Sequence, residues 1–206
     1  MCSSDLAGAV IGRSKTWTVD PAHVQPNSPT VRINELLARN VATLTIGETT
    51  PDLVELFNFG NQPLDVSGFG LTDDPDRPYR YQFPPSTVIP AGGYLTLLGD
   101  SDTNAPGLHL GFGFDADGDR LELFQPESKG GSRVDAVEFG IQIPDFSIGR
   151  LRNGQWALCV PTFGSVNVSA ATGSVKNLKI NEWLANGRYT FRSEEHTSEL
   201  QSPCNL

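Results

Sequence analysis

Cysteine, positive charge and long apolar runs are all scarce in this chain, and each scarcity removes a class of explanation. Three Cys occur in 206 residues, Cys2 and Cys204 at the extreme ends and Cys159 alone in the body. A single body cysteine allows no internal disulfide and no cysteine metal cluster. No apolar stretch reaches the roughly 20 residues that a bilayer-crossing helix needs. Lys and Arg number 15 against 24 Asp and Glu, a formal charge of −9. A phosphate-binding surface gains affinity from clustered Lys and Arg, so nucleic acid is not expected as a partner. Catalytic signatures are missing as well: there is no Gly-x-Ser-x-Gly, no phosphate loop and no His-Glu-x-x-His.

What remains points to strands. Hydrophobic residues make up 38%, enough for a core, and 21 Gly with 15 Pro cut the chain into short pieces. Strands are expected near Val31–Asn40, Leu53–Asn58, Phe69–Thr72, Tyr79–Phe83, Tyr94–Gly99, Leu108–Phe114, Arg120–Gln125, Arg133–Phe139, Ser147–Leu151 and Gln155–Val160. In Tyr79–Phe83 the aromatic residues share one face while Arg80 and Gln82 take the other. Asp117-Gly118 and Asn153-Gly154 are hairpin signals, because both dipeptides tolerate the positive φ of tight turns. Many short strands at this spacing predict an all-β sandwich rather than βαβ units.

The chain ends read differently from its middle. Residues 192–202, from Arg192 to Ser202, resemble the translation of a sequencing-library adapter, and Cys2–Leu6 resembles its reverse end. Residues 1–6 and 192–206 are therefore expected to be adapter-derived, as in a fragment of metagenomic origin. Without Asp5, Arg192, Glu194, Glu195 and Glu199, the 15 basic and 24 acidic residues become 14 and 20, a charge of −6. Residues 7–30 read as the end of an upstream module and a Pro-rich linker that carries Trp17 and His23. Val31-Arg-Ile-Asn-Glu-Leu-Leu-Ala-Arg-Asn40 recurs as Leu178-Lys-Ile-Asn-Glu-Trp-Leu-Ala-Asn-Gly187, 147 residues on. Self-similarity at that distance predicts tandem domains: one complete module over 31–167, a linker over 168–177, and the start of a second copy over 178–191.

The middle resembles the bacterial form of the lamin tail domain. The matching pieces include Ile33-Asn-Glu35, Val54-Glu-Leu-Phe-Asn58, Val66-Ser-Gly68, Leu71-Thr-Asp-Asp74 and Tyr81-Gln-Phe-Pro84. They continue with Ile89-Pro-Ala-Gly-Gly-Tyr94, Gly118-Asp-Arg-Leu121, Ser147-Ile-Gly-Arg150 and Pro161-Thr-Phe-Gly-Ser-Val-Asn167. The family pattern often has Trp where this chain has Phe69, and Pro where it has Phe163. The resemblance implies an immunoglobulin-like β-sandwich, found in tandem or appended to larger bacterial surface or secreted proteins. An extracellular or cell-surface location follows from the resemblance alone.

Few residues suggest chemistry. Asp115, Asp117 and Asp119 form an acidic, Gly-containing turn like the start of a calcium loop. The strand that follows at once makes a plain hairpin turn the competing reading. Asp73-Asp-Pro-Asp76 is a second acidic turn, able to share an ion with the first only if the fold brings the two together. Glu35 in a strand could belong to a catalytic carboxylate pair, or could simply bond nearby backbone groups. His109 lies between Leu108 and Leu110 without a nucleophile motif nearby. Cys159 alternates with apolar residues like a buried inert thiol, and Ser147 reads as part of a bulged strand. Trp17, Trp156, Tyr79 and Tyr81 could stack on sugars, but at strand spacing aromatics belong more often to a core. The expectation is a non-catalytic interaction or spacer module of a larger protein, with no cofactor and an unknown protein or cell-surface partner. The alternative is a calcium- or glycan-binding module attached to an enzyme outside this sequence.

Overall fold

A computed structural model describes residues 28–102, 106–177 and 179. The chain divides into two compact units, residues 1–170 and 171–206. In the second, the described residues include one short 3-10 turn, Val175–Asn177.

The first unit is built from β1 (Val31–Leu37), β2 (Asp52–Asn58), β3 (Leu64–Asp65), β4 (Gly70–Thr72), β5 (Tyr81–Gln82) and β6 (Val88–Ile89). It continues with β7 (Tyr94–Gly99), β8 (Gly118–Phe124), β9 (Arg133–Gly140), β10 (Ser147–Arg150), β11 (Trp156–Val160) and β12 (Val168–Ser169). The larger sheet has the order β12-β11-β10-β1-β2-β7, the smaller β5-β4-β8-β9, and β3 pairs with β6. Every strand pairing is antiparallel.

Alternation along the strands explains the two layers. Val54 and Leu56 enter the core with Leu97 of β7, while Glu55 and Phe57 between them take the opposite face. The smaller sheet contributes Leu71, Leu121, Leu123, Val137 and Phe139, and Phe69, Phe83, Phe112 and Phe114 fill the space between. Burying a side chain of this size is worth about 1.5–3 kcal/mol, so this interior dominates the stability. The result is the two-layer β-sandwich expected from the sequence.

β1 breaks the alternation. Ile33 faces Leu56 and Glu35 faces Glu55, so Asn34 is an extra residue without a partner on β2. This bulge keeps both Ile33 and Leu36 in the core and turns Glu35 to the outer face.

Several local expectations fail for identifiable reasons. The strand expected over Leu108–Phe114 is an irregular run in which Leu110, Phe112 and Phe114 still reach the core. Gly107 and Gly111 hold φ of 132° and 78°, incompatible with a continuous strand. The run touches β7 through Leu98 N–H to Leu108 O and Leu110 N–H to Leu98 O, both 2.8 Å. No hairpin therefore forms across Asp117-Gly118, and β8 pairs with β9 and β4 instead. Only Tyr81–Gln82 of the Tyr79–Phe83 run is a strand. The hairpin at Asn153-Gly154 does form: Arg150 faces Trp156, and Leu151 N–H closes the turn on Gln155 O at 2.8 Å. Val168 and Ser169, expected in a linker, form the edge strand β12 against β11, because Val168 pairs with Val160. The regions read as adapter, upstream linker and second copy lie wholly or almost wholly outside the described residues.

Candidate functional site

The polar side chains that the sequence leaves inside strands converge beneath the segment 161–167, on the outer face of the larger sheet. Glu35 of β1 and Glu55 of β2 are opposite one another in register, and both are fully buried. Glu35 Oε1 accepts the Ser147 hydroxyl at 2.5 Å and the Thr162 N–H at 2.9 Å. Glu55 Oε1 accepts Asn34 Nδ2 at 2.8 Å, and its Oε2 accepts the Gly164 N–H. Asn167 Nδ2 donates to Asn34 O at 2.8 Å and to Arg150 O at 3.0 Å. Phe163, between the two anchoring amides, packs on Leu37, Leu53 and Leu98. The segment is thus a strap, pinned by two carboxylates and one amide and sealed by an apolar plug.

Burial governs the electrostatics here. Loss of water pushes the Glu55 carboxyl up to about 7, against the pull of its Gly164 and Asn34 donors and with a further push from Glu35. Glu35 is raised for the same first reason, offset by its bonds to Ser147 and Thr162. The partner carboxylate that sequence could not supply for Glu35 is therefore Glu55. Both carboxylates point at backbone amides of the strap rather than into an open cleft. The reading of Glu35 as a backbone-bonding group is the one the geometry matches.

A second polar tie joins the two sheets. Arg150 Nη2 reaches Asp135 Oδ2 at 2.8 Å and Oδ1 at 3.0 Å, and Arg150 Nε donates to Ile33 O at 3.2 Å. Asp135 Oδ2 also accepts the Ile33 N–H at 2.9 Å, beside the bulge. The Arg150 guanidinium stacks over Trp156 at 4.7 Å. A third tie is Asp145, whose Oδ1 accepts the N–H groups of Val41, Ala42 and Thr43 at 3.0, 2.8 and 3.0 Å. Those amides hold its carboxyl below the usual range.

Of the predicted metal residues, Asp115 and Asp117 lie just before β8 and Asp119 is its second residue. Asp115 Oδ1 accepts the Asp117 N–H at 2.9 Å, and Asp119 accepts the N–H of Asp115 at 3.1 Å and of Arg120 at 2.8 Å. Among the described residues no three His, Cys, Asp or Glu side chains group as metal ligands. The fold does bring the two acidic turns together: Asp73 and Asp119 line one recess of about 310 Å³ with Glu138 and Arg120. Asp73 is already paired with Arg80 at 2.5 Å.

The remaining candidates are settled in place. His109 is buried with Nδ1 2.7 Å from Asp100 Oδ1, a hydrogen bond that raises its pKa against the opposing effect of burial. It lines an open groove of about 710 Å³ with Arg77, Arg80 and Tyr81. Cys159 is buried and free, and burial pushes its thiol up. Ser147 sits in a regular stretch of ladder, so the bulge expected there is in β1 instead. Tyr81 packs against the core and meets Phe83 edge to face at 5.1 Å. Tyr79 is half-buried in a turn and donates its hydroxyl to Gln125 O at 2.7 Å. Trp156 packs against the core from β11. Trp17 lies outside the described residues.

Sequence reasoning missed Glu55, Asn34, Asn167, Asp135 and Asp145. The signal for the first was present: Glu55, like Glu35, interrupts an apolar strand. Nothing local marks the others: Asp135 meets the Ile33 N–H across 102 residues, Asp145 the Thr43 N–H across 102, and Asn167 the Asn34 carbonyl across 133.

No helix among the described residues is long and apolar enough to cross a membrane. Comparison with known proteins finds one family model, described as Lamin Tail Domain, matching residues 24–140, more than half of the chain. No curated protein matches.

Proposed function

Because the chain belongs to the lamin tail domain family, an immunoglobulin-like module, we propose that it is a non-catalytic interaction or spacer unit of a larger multi-domain protein at or outside a bacterial cell surface. The observation that carries this reading is the use made of the buried carboxylates. Glu35 and Glu55 are the side chains whose burial would suit general acid or base chemistry. Both are sealed under the strap, where their oxygens hold its amides. A fold that uses these two buried carboxylates to close itself is suited to present surfaces and to hold distance. The Ile-Asn-Glu sequence at Ile33, which recurs at Ile180, supports a tandem arrangement in which such units follow one another.

A calcium-binding module is the competing reading, and the shared recess of Asp73, Asp119 and Glu138 is what favours it. Thermal unfolding of the protein with and without calcium separates the two. Saturation at 100 times the Kd would add about 2.7 kcal/mol and raise Tm visibly. The interaction reading expects an unchanged Tm. A calcium-dependent rise that Asp119→Asn abolishes would replace it with the metal-binding one.

A further inference from the structure

The outer face of the larger sheet carries, beside the strap, a stack of side chains that the closing of the fold does not use. Arg32, Phe57 and Tyr94 are in register across β1, β2 and β7. Phe57 and Tyr94 stack at 4.8 Å, and the Arg32 guanidinium sits 5.3 Å from the Phe57 ring and 5.7 Å from that of Phe59. Phe59 is 53% exposed. Arg80, Arg133 and Arg150 each reach a carboxylate. Arg32 has no hydrogen bond or ion pair among the described residues, and its Nε is buried without a partner. Asp135 acts on it electrostatically but is committed to Arg150 and the Ile33 N–H. Arg152 lies close enough to Tyr94 to act on its hydroxyl electrostatically.

We infer that this stack is a docking site for an acidic segment of a partner protein, one carboxylate of which closes on Arg32 between the aromatic rings. The inference rests on the interaction-module reading and names the surface it would use. A half-buried guanidinium without an ion-pair partner among the described residues calls for an anion from outside. The geometry selects peptide over sugar. Sugar stacking needs an open aromatic face, whereas the faces of Phe57 are covered by Tyr94 and Arg32, which leaves its ring edge. Ring edges carry the positive end of the quadrupole and favour a carboxylate. Aromatic and Arg side chains are also the residues that dominate protein–protein contacts.

The test is fluorescence titration of the full chain with an end-capped peptide carrying Glu among Leu and Ser. Its Gln counterpart and oligogalacturonate serve as the other probes. The Glu peptide is expected to bind, more weakly as salt rises, and the Gln peptide not to bind. Arg32→Ala and Phe59→Ala should weaken binding about tenfold, and Arg77→Ala should leave it unchanged. Should Arg32→Ala fail to fold, Arg32→Lys keeps the charge but loses the planar fork, and is expected to weaken binding at unchanged Tm. Absence of binding by the Glu peptide, equal binding by the Gln peptide, or equal loss in Arg77→Ala overturns the site. Binding of oligogalacturonate through Arg32, with the peptides inert, replaces it with an acidic-glycan site. Either failure leaves the calcium experiment to decide the broader reading separately.

Discussion

Raising the pH should loosen the strap through Glu55, and the size of the effect follows from its burial. The side chain is fully buried, and desolvation lifts its carboxyl from 4.5 to about 7. Because the folded value lies above the unfolded one, the stabilisation is fully present below pH 4.5 and is lost as pH rises through about 7. At about 1.4 kcal/mol per unit, the full shift is worth about 3 kcal/mol, of which about 2.5 kcal/mol falls between pH 5 and 8. For a chain of this size that is a drop in Tm of roughly 8 °C. Asp52, raised to about 6 chiefly by burial, adds to the decline at the acid end. The diagnostic is therefore the difference between the wild type and Glu55→Gln, read by circular dichroism across that range. Gln cannot ionise, and one of its two oxygen acceptors becomes a donor facing either Asn34 Nδ2 or the Gly164 N–H. The variant should be less stable than wild type at pH 5 by about 1–3 kcal/mol. The gap should close as pH approaches 8. A gap that stays constant over the range would show that Glu55 does not titrate in the fold, and would refute the desolvation argument.

Other outcomes follow from the same geometry. Arg150→Met strips the partner from Asp135 and should cost about 3–5 kcal/mol in urea unfolding, most of which Asp135→Asn in the same chain should restore. Gly149→Ala would place a Cβ 2.8 Å from Asn167 Nδ2 and 2.9 Å from Cys159 Sγ. Its expected cost is about 1–3 kcal/mol, with faster proteolytic cleavage within 161–167, since it pushes on the amide that holds the strap. His109 should show a pKa above the usual imidazole value by NMR. Its contribution to stability should be present at acid pH and lost as pH rises through that value, and Asp100→Asn should bring the pKa down.

The polypeptide's own order of residues determined the class of fold and most of its strands. Gly, Pro and Asn punctuate apolar runs of strand length, and period-two alternation is a local property that needs no knowledge of partners. It was enough to place β7 at Tyr94–Gly99 and to foresee the turn between β10 and β11. It failed at Leu108–Phe114, where alternation was read as a strand although the glycines at 107 and 111 bend the run away from any regular ladder. It failed again at Val168–Ser169, where two residues are too few to show a pattern and only the neighbouring Val160 makes them a strand.

What belongs to tertiary structure alone is the fate of the polar groups. Glu35 reads the same in sequence whether it serves a reaction or a fastening. The bulge at Asn34, the register with Glu55 and the return of Thr162 and Gly164 across more than 100 residues decide for fastening. The same holds for Arg32: its residue type is visible in the sequence, but that no described carboxylate forms an ion pair with it is a fact of packing. Hydrophobic pattern is written locally because burial of apolar surface is non-directional. Hydrogen bonds and ion pairs are directional, and whether they are made is settled only once distant segments have been brought within 3 Å of each other.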